Sequence, residues 1–460
     1  MRVRVAVAVV LALAGCLSAP IPSPAPDGVL LGEVGDAFAR DHDHSDAALH
    51  ALGTPTMAQL AYTPLGPDGK PYHYIGEIAA HGDLAYVAIE GGATFEEPSG
   101  FVVVDVSDPA APRVVARAEA PWATAHDVKV DPSGQWLYQG SQGIVNRPLV
   151  DVARVAEARG LAGIVVWDVR DPSAPKQVSY AEVAPEGCHM LSVAEVAGST
   201  HVYCATNDHG LRAFVARDTP NGRELVPEGL YVPTGVGPGS APLGLSRPAG
   251  PHDATFQPDP LTGEPLLVLA HGDNGVDLAS LADPARPTDL GRWTGEGARH
   301  WHGAIHSAMA YRVGDRRIVV ATPELYTDDV PAVFFLDATD TARISLVREW
   351  LAPGLVGADF FRTTTHQIQV VEGRVYLSFN HAGVWVLDAS TSAKVADPVI
   401  LGLYLPHEQA VAKEDPAKNV PFVWDVVVHR GAILASDRQT GLYVLHLEGD
   451  AFADEVGSFA

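Results

Sequence analysis

Residues 99–121 read SGFVVVDVSDPAAPRVVARAEAP, and residues 162–185 read AGIVVWDVRDPSAPKQVSYAEVAP. Each is an apolar, β-branched run, an Asp-Pro turn and a second β run. The pattern returns, degraded, at 274–293 (NGVDLASLADPARPTDLGRW), 331–350 (PAVFFLDATDTARISLVREW) and 382–406 (AGVWVLDASTSAKVADPVILGLYLP). A further hairpin precedes each copy, as in HDVKVDPSGQWLYQG before the second and HSAMAYRVGDRRIVVA before the fourth. One unit is therefore four short antiparallel strands, and repeats of ~40–60 residues with four strands each are propeller blades.

Seven inner strands are expected, opening near Glu77, His126, His189, His252, His306, His366 and Trp424. The last unit has three clear strands, ending at GLYVLHLEG. The segment MAQLAYTPLG (57–66) supplies the fourth and closes the ring by joining the two ends of the chain. The expected fold is all-β: a single seven-bladed propeller of four-stranded antiparallel blades over residues 57–460. The VVVDVSDPAAP and VVWDVRDPSAP stretches resemble the LVIVD-type repeats of bacterial exported propellers, a likeness that bears on the fold more than on the function.

Residues 1–16 read as a lipoprotein signal peptide. Arg2 and Arg4 precede a short apolar run, Val5 to Ala14, too short for a permanent membrane span. Leu13-Ala14-Gly15-Cys16 resembles the bacterial lipobox, which implies lipidation of Cys16 and a tether to a membrane surface. Residues 17–56 are a Pro-rich, then His/Asp-rich, linker. The expected location is the periplasm or cell envelope. Cys188 and Cys204 lie on neighbouring strands of one hairpin, and an oxidising compartment favours a disulfide between them.

The chain has 460 residues, with 31 Lys+Arg against 56 Asp+Glu, a net charge of −25. It is read as a monomer. Such a charge disfavours nucleic acid and anionic lipid and attracts cations. No P-loop, no GxGxxG in a βα context and no GxSxG elbow occurs.

The 19 histidines are distributed with a pattern. His126, His189, His252, His306 and His366 hold the same position at the start of five inner strands, where Gly76 and Trp424 complete the set. Inner strands line the central channel of a propeller, so these residues are expected to ring one of its mouths. The loops after the second strands return to the same face. They bring Glu96, Glu97, Asp208, His209, His271, Asp273, Asp328, Asp329, His381 and Asp437 to its rim. PLVDVARVAEARG (148–160) has apolar residues at helical spacing and reads as a short helix over the mouth.

Neutral imidazole suits Zn, Cu, Fe and Ni. Five histidines make too wide a ring for one ion. Three neighbours plus one further ligand are the reasonable set, with His126, His189 and His252 the first choice and His306 and His366 the other half. Asp127 and Asp253, each adjacent to a ring histidine, are candidates for orienting imidazole N–H groups. The blander reading is that each histidine caps its strand by bonding to the next blade. His300 and His302, in RHWHGAIH (299–306), are additional candidates or plain loop residues.

The tail stretch RDHDHSDAALH (40–50) adds His42, His44 and His50. Together with AHDV, CHML and PHDA it makes the mature chain resemble the AztD family of zinc metallochaperones. That resemblance implies a Zn2+ cargo at a propeller site built on His126, His189 and His252. It also implies a tail site at His42 and His44, and a zinc ABC-transporter solute-binding protein as partner. The lipobox departs from a freely diffusing chaperone. Two other classes compete: a propeller metalloenzyme with axial histidines around Fe or Cu, and a surface-anchored repeat scaffold whose histidines are structural.

Overall fold

The computed structural model describes residues 53–54, 56–72, 74–90, 99–120, 124–142, 162–183, 187–206, 210–235, 250–324, 332–353, 364–406 and 421–449. Its strands form seven four-stranded antiparallel sheets, the blades of a β-propeller. Blade 1 runs from its inner strand Ile75–His81 through Leu84–Ile89 and Ser99–Asp105 to the outer strand Arg113–Ala120. The inner strands of blades 2 to 6 are Thr124–Val130, Met190–Val196, Asp253–Pro258, Ile305–Val313 and Thr365–Val371. Blade 7 has Val423–His429, Ala432–Asp437 and Gly441–Leu447 from the C-terminal end of the chain. Its outer strand is Met57–Thr63, paired antiparallel with Gly441–Leu447. The ring is closed by joining the two ends of the chain, as expected from the sequence.

Apolar runs such as Phe101-Val102-Val103-Val104 follow from this architecture. Successive side chains of a strand point to opposite faces, and each blade face packs on a neighbouring blade. Phe101 and Val103 pack with Val128, Leu137 and Trp167 of blade 2, whereas Val102 and Val104 pack with Leu434 and Val444 of blade 7. Seven buried clusters result, one in each space between adjacent blades.

The Asp-Pro turns have a local cause. Asp105 Oδ1 accepts from Ser107 N and Oγ at 3.0 and 2.6 Å, and Asp108 Oδ1 accepts from Ala110 N at 3.0 Å. Asp171 and Asp388 bond Ser173 and Ser390 in the same way. These Asx turns explain why the repeat keeps aspartate there. Hydrogen bonds from Ser107 hold the Asp105 carboxyl below its ordinary range.

Cys188 and Cys204 form a disulfide with Cα atoms 5.5 Å apart, buried between blades 2 and 3. Among the described residues no helix is long and apolar enough to cross a membrane. The signal and the linker through residue 52, with Cys16, His42, His44 and His50, lie outside the described residues, and so does the helix expected over 148–160. At the end of the linker Thr54 N and Thr56 Oγ1 donate to the Leu403 and Leu401 carbonyls of blade 6 at 2.9 and 2.6 Å.

Candidate metal centre

The ring residues are aimed by a break in strand pairing. In five blades the register shifts at the ring position: between Ile75 and Ile78, Ala125 and Asp127, Ile305 and Ser307, Thr365 and Ile368, and Val423 and Asp425. A β-bulge bends its strand and redirects the extra side chain. Gly76, His126, His306, His366 and Trp424 occupy these bulges. His189 and His252 sit just before their strands, with N–H groups bonded to the Ala205 and Ala270 carbonyls at 3.0 and 2.8 Å.

Six of the seven ring side chains touch in sequence. Ring centroids are 4.0 Å apart for His126–His189, 4.3 Å for His189–His252, 4.0 Å for His252–His306, 3.9 Å for His306–His366 and 3.6 Å for His366–Trp424. Gly76 has no side chain, and the His126 and Trp424 rings across it are 6.3 Å apart. His306 and His366 are fully buried, each 1% exposed.

Each buried imidazole has two nitrogens to satisfy. His306 Nδ1 donates to the His366 carbonyl at 3.1 Å, and His366 Nδ1 donates to the Trp424 carbonyl at 2.7 Å. A neutral imidazole that donates from Nδ1 carries its lone pair on Nε2. Both Nε2 atoms are buried without a hydrogen bond. The strand-capping bond to the next blade and a nitrogen with an unused lone pair therefore coexist in the same ring. His189 Nδ1 lies 3.1 Å from Gln142 Oε1, an acceptor, and its Nε2 lies 2.8 Å from His252 Nε2, so one proton serves that pair. Burial, then the neighbouring imidazoles, pushes His189, His306 and His366 well below the ordinary histidine range, and burial first pushes His252 down to about 3. These rings are neutral at pH 7, the form that binds metals.

One group brings three ligand atoms together. His252, His306 and Glu324 each offer an atom, all within 4.8 Å of one another. Glu324 Oε2 is 3.7 Å from His306 Nε2. Glu324 was not among the sequence candidates. It belongs to a second tier, made of the residue that ends or follows the second strand of each blade: Glu90, Gln142, Thr206, His271, Glu324, Asn380 and Arg438. All seven are polar. That regularity was readable in the sequence as IE, SQ, AT, AH, PE, FN and DR. The trio preferred from sequence, His126, His189 and His252, is contiguous in the ring, but distance groups His252 with His306 and Glu324.

The other candidates have varied partners. His271 Nδ1 bonds Asp277 Oδ2 at 2.7 Å, and its buried Nε2 makes no hydrogen bond. Asp273 accepts from Ala304 N at 3.0 Å, and His381 packs against Phe422 at 5.0 Å. Asp437 shapes a turn, accepting from Gln439 N and Thr440 N at 3.0 Å each. His300 pairs with Glu349 on the outer strand of blade 5 at 2.7 Å. Glu96, Glu97, Asp208, His209, Asp328 and Asp329 lie outside the described residues.

Asp127 and Asp253 form a deeper layer and hold backbone rather than imidazole. Asp127 accepts from Leu191 N of blade 3 at 2.7 Å and from Lys129 Nζ at 2.6 Å. Asp253 accepts from Ala254 N at 2.7 Å. Asp425 accepts from Ile78 N at 2.7 Å, joining blade 7 to blade 1. Burial first raises Asp253 to about 6 and raises Glu77 and Asp425.

The LVIVD repeat family matches residues 74–119, which carry blade 1. This match and the seven blades fit the family of repeat propellers. No match is found among curated proteins. Sqt1 from Chaetomium thermophilum has a similar fold, with a TM-score of 0.51 and 13% identity over 85% of this chain and 99% of that one. A hypothetical selenium-binding protein from Sulfolobus tokodaii gives a TM-score of 0.43 and 16% identity over 67% of this chain and 70% of that one.

Proposed function

We propose that this protein is an exported metal-binding protein that carries Zn2+ at the channel mouth and hands it on, as a metallochaperone does. The observation that carries the reading is the convergence of His252, His306 and Glu324. Two imidazoles and a carboxylate are a zinc donor set. Tetrahedral zinc with ~2.0–2.1 Å bonds spaces its ligand atoms roughly 3.3 Å apart, so small rotations would close this group. The buried nitrogens without a hydrogen bond, His306 Nε2 and His252 Nδ1, are what such an ion would satisfy. His366 and His271, each with a buried bare nitrogen, are the candidates for a fourth ligand.

Release follows from the same chemistry. Zinc has no d-electron geometric preference, so ligands exchange one at a time. The tail histidines His42 and His44, with His50, would take the ion from the mouth or deliver it to the solute-binding protein of a zinc ABC transporter. The signal sequence and the disulfide suit an oxidising periplasm or cell envelope. Lipidation at Cys16 would keep transfer at the membrane surface.

The test is elemental analysis of the purified mature chain, before and after chelation and zinc reloading. About one tightly held zinc per chain is expected, lost in H252A/H306A. Stoichiometric iron or copper with oxygen consumption would point to an enzyme instead. A chain that binds no metal would overturn the reading.

A further inference from the structure

Two glutamates repeat one arrangement on different sectors of the ring. Glu90 follows the second strand of blade 1 and Glu324 follows that of blade 5. Glu90 Oε1 is 3.9 Å from His126 Nε2, and Glu324 Oε2 is 3.7 Å from His306 Nε2. Each glutamate thus stands beside a ring histidine that has a second ring histidine next to it.

One neighbour fixes Glu90. Arg438, at the equivalent place in blade 7, donates from Nη1 to Glu90 Oε1 at 2.7 Å and from Nη2 to Oε2 at 2.6 Å. The pair is buried, with Arg438 8% and Glu90 3% exposed. The guanidinium lies 3.7 Å from the centroid of the Trp424 ring, with Tyr74 at 5.1 Å and Phe422 at 5.9 Å. Such a cage fixes a planar cation in place. Gly76 makes room on this side: a Cβ there would come within 3.6 Å of Glu90 Cγ and 3.0 Å of the His126 carbonyl.

A bidentate arginine occupies both carboxylate oxygens and stays charged at any working pH. A divalent ion at Glu90 and His126 would meet that charge at close range in a poorly screened site. We propose that Arg438 is a built-in cation that closes a second His–carboxylate half-site, formed by Glu90 and His126. It thereby limits the channel mouth to one metal ion. This rests on reading His252, His306 and Glu324 as the metal site.

The experiment titrates chelator-stripped full-length chain with Zn2+, counting bound equivalents by calorimetry and native mass spectrometry. R438Q is expected to bind one equivalent more than wild type. R438K, which keeps the charge, and E90Q/R438Q, which removes the carboxylate, are expected to match wild type. R438H, which keeps a ring against Trp424 and adds an imidazole, should also gain one. The proposal is overturned if folded R438Q and R438H bind no more than wild type, if R438K gains an equivalent, or if both R438Q and R438H fail to fold. Wild type binding one and R438Q one would leave the zinc-carrier reading standing. Wild type binding none and R438Q one would do the reverse.

Discussion

The two sectors of the ring use similar residues for opposite ends. Between blades 4 and 5, His252, His306 and Glu324 converge with ligand nitrogens left bare. Between blades 7 and 1, Glu90 is saturated by Arg438, Trp424 stacks on the guanidinium, and Gly76 contributes nothing to the ring. In the first sector two imidazole nitrogens, His252 Nδ1 and His306 Nε2, have no hydrogen bond, whereas in the second the Glu90 carboxylate is fully engaged by Arg438. A buried polar group without a partner is destabilising, and under the proposed function a bound ion would satisfy the bare nitrogens of the first sector.

The largest expected effect lies in the satisfied sector. E90Q leaves a buried guanidinium without its counter-charge and should lower unfolding free energy by about 3–5 kcal/mol, with zinc affinity unchanged. Denaturant melts and zinc titrations on the same sample check both halves. The opposite profile is expected for H306A, with zinc affinity falling on the order of 100-fold. Structural zinc is worth ~10–16 kcal/mol shared among about four ligands, which gives a loss of this size per ligand. H126A, in the satisfied sector, should change affinity less than about 10-fold. Equal losses for the two histidines would erase the distinction.

A smaller effect is set by pH. His252 is pushed down to about 3 from an ordinary value near 6.5, so between those values the unfolded chain binds more protons than the folded one. Its contribution to metal-free stability is intact above about pH 6.5 and declines towards pH 3, by about 1.4 kcal/mol per pH unit. Asp253, raised to about 6, acts in the opposite direction. The difference between wild type and H252Q, followed from pH 7 to pH 4 by chemical denaturation, isolates the histidine. A pH-independent difference would contradict its burial in neutral form. The smallest effect on the site itself is expected from deleting residues 40–50: tight zinc stays bound, and transfer to an acceptor protein slows.

The fold was legible because blades repeat. Asp-Pro turns, strands apolar on both faces and five register-matched histidines gave the seven units, the ring and the closing strand. The candidate site was legible in part. Histidine is rare enough that His252 and His306 stood out, whereas Glu324 did not, because a glutamate after a strand is ordinary in an acidic chain. The polar tier it belongs to becomes visible once the second strands are aligned. The sequence also proposed Asp127 and Asp253 as imidazole partners, since adjacency suggests contact. Alternation along a strand sends neighbours to different sides, and these carboxylates bond backbone amides instead. The choice among three consecutive histidines depended on distances around a ring, which spacing along a chain does not encode.

The most direct measurement is a crystal of the zinc-loaded chain with anomalous scattering collected on both sides of the zinc edge. A single strong peak within bonding distance of His252, His306 and Glu324 is the predicted result. A peak at Glu90 and His126 in the presence of Arg438, or no peak in the channel, would contradict it.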